Sequence, residues 1–149
     1  MQLNLPQFTY KTKKIGELVY ILDVFRKKYV VLTPEEWVRQ HLLHHLVNEL
    51  GYPKAAIAVE KQFKLGAKKK RFDALVYHQQ KPVLLIECKS AVVAMSQPVF
   101  DQAARYNMAF GAEYMLVSNG LHHFFFKIDP ENQRYIFFDG IKPYHLLFE

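Results

Sequence analysis

The sequence predicts a mixed α/β fold, a β-sheet flanked by helices. Two segments open like helices: Thr33-Pro-Glu-Glu36 and Ser96-Gln-Pro98. Strand-length runs rich in β-branched and aromatic residues lie before, between and after them. No internal repeat, low-complexity tract or Gly/Ser linker interrupts the 149 residues. That length suits one domain of roughly 100–200 residues, so residues 1–149 are expected to fold as a single unit.

In chain order, residues 17–24 and 29–32 read as a strand pair around a turn at Phe25–Lys28. Thr33 then suits an N-cap, Pro34 the first helical position, and Glu36 the far end of a capping box. The helix is expected to reach Leu50, with Gly51 at C′ and Pro53 beyond. Its apolar stripe is Val38, Leu42, Leu43, Leu46, Val47 and Leu50. Residues 57–63 alternate like one half-exposed strand, and Leu65–Arg71 reads as a basic turn. Strands follow over 72–77 and 82–89, with a turn at 78–81 between them. A second helix runs from Ser96 to about Phe110. Strands over 113–118, 121–128 and 134–139 are separated by Asn119-Gly120 and Asp129–Asn132.

Composition narrows the function classes. Half the residues are hydrophobic and 15% are aromatic, which supports a core and excludes disorder. A net charge of +6 suits a polyanionic partner, although ordinary soluble proteins reach it too. Cys88 is the only cysteine, so no internal disulfide forms, and a reducing compartment is expected. The opening MQLNLPQF lacks a signal-peptide pattern, and no apolar run approaches the roughly 20 residues that span a bilayer. A cytoplasmic protein without membrane contact is expected.

Arg71–Ser90 carries the chemistry. Its apolar strand ends in Glu87-Cys88-Lys89. Pairing it with the preceding strand so that Leu75 meets Leu85 and Tyr77 meets Val83 sets Asp73 against Glu87. Period-two alternation then puts Asp73, Glu87 and Lys89 on one face, with Leu84, Ile86 and Cys88 turned to the core. Opposed carboxylates about 4.5–5.5 Å apart repel, and a divalent cation removes the conflict. The plain alternative is a strand end whose charges sit in water. The functional one is a Mg²⁺ site held by Asp73, Glu87 and the Cys88 carbonyl, with Lys89 orienting or activating water for phosphodiester hydrolysis.

The blocks TPEEWVRQ, ELGYP, RFDALVY, LLIECKS and SNG, in that order, resemble the N-terminal nuclease domain of type I restriction enzyme restriction subunits, within the PD-(D/E)xK superfamily. The resemblance covers roughly residues 33–125. It implies a restriction-endonuclease-like fold with a nuclease core (33–128); the strand pair read in residues 1–32 is then an N-terminal hairpin extension, and 129–149 a C-terminal strand and tail. It also implies a Mg²⁺-dependent deoxyribonuclease, with Mn²⁺ as a substitute metal. Asp73, Glu87 and Lys89 match the family motif. Glu36 matches its helix acid, with Glu35 as competitor, and Gln102 and Tyr106 match its Q-x-x-x-Y. Lys68, Lys69, Lys70 and Arg71 are the candidates for gripping DNA, against the plain reading of a solvated basic turn.

No G-x-x-x-x-G-K-[ST] loop occurs, so no ATP-driven motor is expected within these residues. The expected partners are DNA, other restriction-modification or motor subunits, and a second copy in a homodimer. The alternatives are a catalytically inactive nucleic-acid-binding or scaffold protein, and an RNA nuclease or repair factor.

Overall fold

The computed structural model describes residues 2–148. Its centre is the strand that carries the motif, buried on both sides. A six-stranded sheet runs in the order β11-β10-β9-β8-β7-β4. These strands are β4 (Ile57–Val59), β7 (Ala74–His78), β8 (Lys81–Cys88), β9 (Tyr114–Ser118), β10 (His123–Asp129) and β11 (Arg134–Phe138). Only β8 and β9 pair in parallel, joined through helix α2 (Gln97–Asn107); the other neighbours are antiparallel.

Helix α1 (Pro34–Leu50) covers one face. Its Val38, Leu42, Leu43 and Leu46 pack with Leu84, Ile86 and Cys88. On the other face Ala103 and Tyr106 of α2 pack with Leu75, Leu85, Met115 and Phe126. Burial on both sides explains why Val83–Ile86 is continuously apolar instead of alternating. It also corrects one expectation: the face shared by Glu87 and Lys89 is a second core, with Leu75 and Leu85 both fully buried.

The β7–β8 hairpin closes through Gln79 and Gln80, both in the left-handed region with φ of 50° and 67°. This two-residue turn pairs His78 with Lys81 and Tyr77 with Pro82. A bulge between Val76 and Tyr77 then shifts the register, and Leu75 meets Leu85 as expected. The expected Tyr77–Val83 pair does not form, because turn and bulge take up one residue between them.

Three other expectations are corrected. The N-terminal pair is a three-stranded antiparallel sheet of β1 (Thr12–Ile15), β2 (Leu18–Asp23) and β3 (Lys28–Val31). All of β1 is exposed, so no buried face gave it a periodic signature. The strand expected over 57–63 breaks at Glu60, whose φ of 49° leaves the β region. Beyond the break, β5 (Gln62–Leu65) pairs with β6 (Lys68–Arg71) as a separate two-stranded ribbon. The basic segment is thus a strand, and its turn is Gly66-Ala67.

Helix α1 starts and stops as its sequence demands. Thr33 caps it by accepting from the Glu36 N–H at 3.0 Å, and Gly51 ends it at φ 76°. The capping box is only half made. The Thr33 N–H donates to the Val31 carbonyl, and the Glu36 carboxylate goes elsewhere. Among the described residues, no helix is long and apolar enough to cross a membrane.

Candidate active site

A cleft of about 360 Å³ opens where β8 ends beside α1, α2 and the root of the ribbon. Asp73, Glu87, Lys89, Gln102 and Tyr106 all line it, together with Glu35, Glu60, Arg71, Phe72 and the Cys88 peptide. Glu36 does not. A larger hollow of about 640 Å³ lies between the N-terminal sheet and the start of α1. Among its described lining residues, Tyr10 is the only one with a titratable side chain, so that hollow has little to offer acid–base chemistry.

Asp73 immediately precedes β7, and its carbonyl accepts from the Glu60 N–H at 2.9 Å. Its carboxylate is held at both ends. Oδ2 accepts from the Cys88 backbone N–H at 2.7 Å, and Oδ1 accepts from Arg39 Nη1 at 3.0 Å. Glu87, the next-to-last residue of β8, is 5% exposed, and its Oε1 is buried with no hydrogen-bond partner. Burial pushes its carboxyl well above the ordinary carboxylate range. The neighbouring Asp73 charge adds to this, and Lys89 pulls it part of the way back.

Lys89 lies just past the end of β8. Its backbone N–H donates to the Ser118 carbonyl at 2.8 Å, continuing the parallel pairing. Its ammonium donates to Gln102 Oε1 of α2 at 3.0 Å. Tyr106 lies one turn further along the same helix face, 9% exposed, its ring 5.2 Å from that of Phe63. Burial raises its phenol pKa, and the nearby Glu87 charge raises it further. Asn119 also bears on this end of the sheet. Its Nδ2 donates to the Val93 carbonyl at 2.8 Å and ties down the loop after Lys89.

Glu35 and Glu36 do different things. Glu36 is buried, and its carboxylate accepts from Arg26 Nη2 at 2.7 Å, Arg39 Nη2 at 3.0 Å and Gln40 Nε2 at 3.0 Å. Glu35 reaches the cleft. Its carboxyl pKa is raised by burial first, then by the Asp73 charge and a hydrogen bond with Asp73, while Arg39 and Lys89 oppose the shift. Arg26 comes from the β2–β3 turn, where it also pairs with buried Asp23. No motif in the sequence pointed to Arg26 or Glu60; what joins them to the site is contact across the chain.

The basic residues separate by face. Cross-strand pairs on the ribbon are Gln62–Arg71, Phe63–Lys70, Lys64–Lys69 and Leu65–Lys68. Phe63 and Leu65 pack down onto the α2-side core, which puts Lys68 and Lys70 on that inner side. Lys64, Lys69 and Arg71 are exposed on the other side. Arg71 also reaches the cleft and donates to Glu60 at 3.0 Å.

The family model for the type I restriction enzyme R protein N terminus (HSDR_N) matches residues 34–142. The chain belongs to that family. A solved fragment of a putative HsdR subunit of a type I restriction enzyme from Vibrio vulnificus YJ016 has the same fold, with a TM-score of 0.56 at 19% identity. The match covers 78% of this chain and 25% of that one, so the chain spans about a quarter of its length. No curated protein matches the sequence.

The donor set of this HSDR_N domain suits a hard cation. Glu35, Asp73 and Glu87 offer carboxylate oxygens, and the buried Glu87 Oε1 has no hydrogen bond to lose. As they stand, no three or more His, Cys, Asp or Glu side chains among the described residues form a group that could hold a metal ion. Arg39 and the Cys88 N–H already occupy Asp73.

Proposed function

We propose that this domain hydrolyses DNA phosphodiester bonds with the help of Mg²⁺. The observation that carries the reading is the joint placement of Asp73, Glu87 and Lys89 around one cleft, with Gln102 gripping the lysine. Asp73, Glu87 and the Cys88 carbonyl would hold the cation, and Glu35 replaces Glu36 as the acid from α1. When bound, the cation supplies Lewis acidity at the phosphoryl oxygen and favours hydroxide at neutral pH.

The chain's own groups do the rest. Lys89 holds the attacking water and places positive charge beside the phosphate as negative charge builds there. Gln102 fixes the Lys89 ammonium, so less of its rotamer freedom remains to be lost in reaction. Tyr106 and Phe72 wall the cleft and limit water around the reacting phosphate. Arg71, with Lys64 and Lys69 beyond it, grips the phosphates leading into the cleft. Other parts of a restriction–modification complex would supply the ATP-driven motor.

A binding-only reading has one observation in its favour: both Asp73 oxygens already have partners. It leaves the held Lys89 ammonium without a purpose. The test is to incubate the purified chain with supercoiled DNA, with Mg²⁺ and with EDTA, beside Glu87→Gln. The hydrolytic reading expects nicking only by the wild type with Mg²⁺. DNA binding without nicking under any metal would favour the binding-only reading.

A further inference from the structure

We propose that Arg39 is an internal counter-ion of the cleft, holding the place on Asp73 that a divalent cation takes, with Glu60 as its resting partner once displaced. The inference rests on the metal-dependent reading above and adds a positioning role for Arg39 and Glu60.

Arg39 projects from α1 with its side chain 5% exposed. Its Nη2 lies 3.0 Å from Glu36 Oε1 and 4.0 Å from Glu35 Oε1. Its Nη1 lies 3.0 Å from Asp73 Oδ1 and 2.9 Å from Glu60 Oε2. One nitrogen therefore already bridges two acids. Letting go of Asp73 leaves it paired with Glu60, and Glu36 keeps the other end of the fork in place.

Two orphaned atoms separate this arrangement from a finished structural ion pair. Arg39 Nε is a buried donor without an acceptor, and Glu87 Oε1 a buried acceptor without a donor. Buried polar groups are rarely left so, and here both belong to one cluster. Charge points the same way. Asp23, Glu35, Glu36, Glu60, Asp73 and Glu87 are linked by these contacts and by the cleft to Arg26, Arg39, Arg71 and Lys89: six acids against four bases. With every carboxyl ionised, as cation binding requires, the excess of two matches one divalent cation, so the cation and Arg39 can share the cluster if Arg39 gives up Asp73.

The test is calorimetric titration of Mg²⁺ and Mn²⁺ into the full chain without DNA. Arg39→Gln is expected to bind about tenfold more tightly, because a like charge close to the cation has gone. Glu60→Gln is expected to bind more weakly in the wild-type background and nearly unchanged in the Arg39→Gln background. A bare charge effect would instead weaken both backgrounds equally. In the wild type, saturation with Mg²⁺ should shift the guanidinium NMR signals of Arg39, a readout independent of how the variants fold. If Arg39 serves instead to orient Asp73 as a ligand, Arg39→Gln binds more weakly, and that result overturns the proposal. So does an Arg39 signal unmoved by bound Mg²⁺. Absence of cation binding to wild type and variant alike would overturn the metal-dependent reading as well.

Discussion

Glu35 and Glu36 are neighbours on α1 that serve separate ends: Glu36 is bonded by Arg26, Arg39 and Gln40, whereas Glu35 lines the cleft beside Asp73. The side chain of Glu36 is 4% exposed and that of Glu35 is 48% exposed. Removing the charge of Glu36 strips a partner from buried Arg39 and from half-buried Arg26, and breaking a buried pair costs about 3–5 kcal/mol. Glu36→Gln should therefore lower Tm by several degrees. Glu35→Gln should leave Tm nearly unchanged and reduce cleavage. Thermal denaturation of both variants, paired with a nicking assay, checks the division. Equal loss of stability would contradict it.

The buried Glu87 makes stability depend on pH. Its carboxyl is raised in the fold, so between the ordinary carboxylate pKa and the raised value the native state binds more protons than the unfolded one. Stability from this residue is full below about pH 4 and falls as pH rises through the folded value. Glu87→Gln should remove that decline. At pH 7.5 without metal the variant should melt about 2–4 °C above wild type, roughly 1 kcal/mol for a domain of this size. The gain should vanish near pH 4. A variant less stable than wild type at neutral pH would show that the charge is better accommodated than its burial implies.

The ribbon separates charge from geometry. Lys64→Ala/Lys69→Ala and Lys68→Ala/Lys70→Ala each remove two positive charges, from opposite faces. For every phosphate no longer neutralised, the slope of log K against log salt should fall by about 0.9 on duplex DNA. Fluorescence anisotropy over a salt series should show the larger drop in affinity and in slope for the outer pair. Equal drops would mean that only net charge matters.

The legible parts of the molecule were those whose signals are local. Thr33, Pro34 and Gly51 bound α1 through contacts within a turn of themselves, and the apolar run of β8 names itself. The Leu75–Leu85 pair was legible because it lies past the bulge that absorbs the tight turn. Adjacent acids on a helix cannot be told apart by period alone. Here Arg26, ten residues upstream, takes Glu36. Lysine-rich β6 runs against strand propensity and is held by Phe63 and Leu65 of its partner β5, so it read as a turn. The break at Glu60 has no composition cue, since glutamate seldom adopts positive φ.

In the proposed hydrolysis Lys89, held by Gln102, acts at the reacting phosphate. Wild type and Lys89→Ala should be compared on supercoiled DNA with Mg²⁺, with DNA affinity measured in parallel without metal. Cleavage should fall by about 100-fold or more while affinity stays within about twofold, as for a group that acts mainly in the transition state. Cleavage by Lys89→Ala at the wild-type rate would contradict that role.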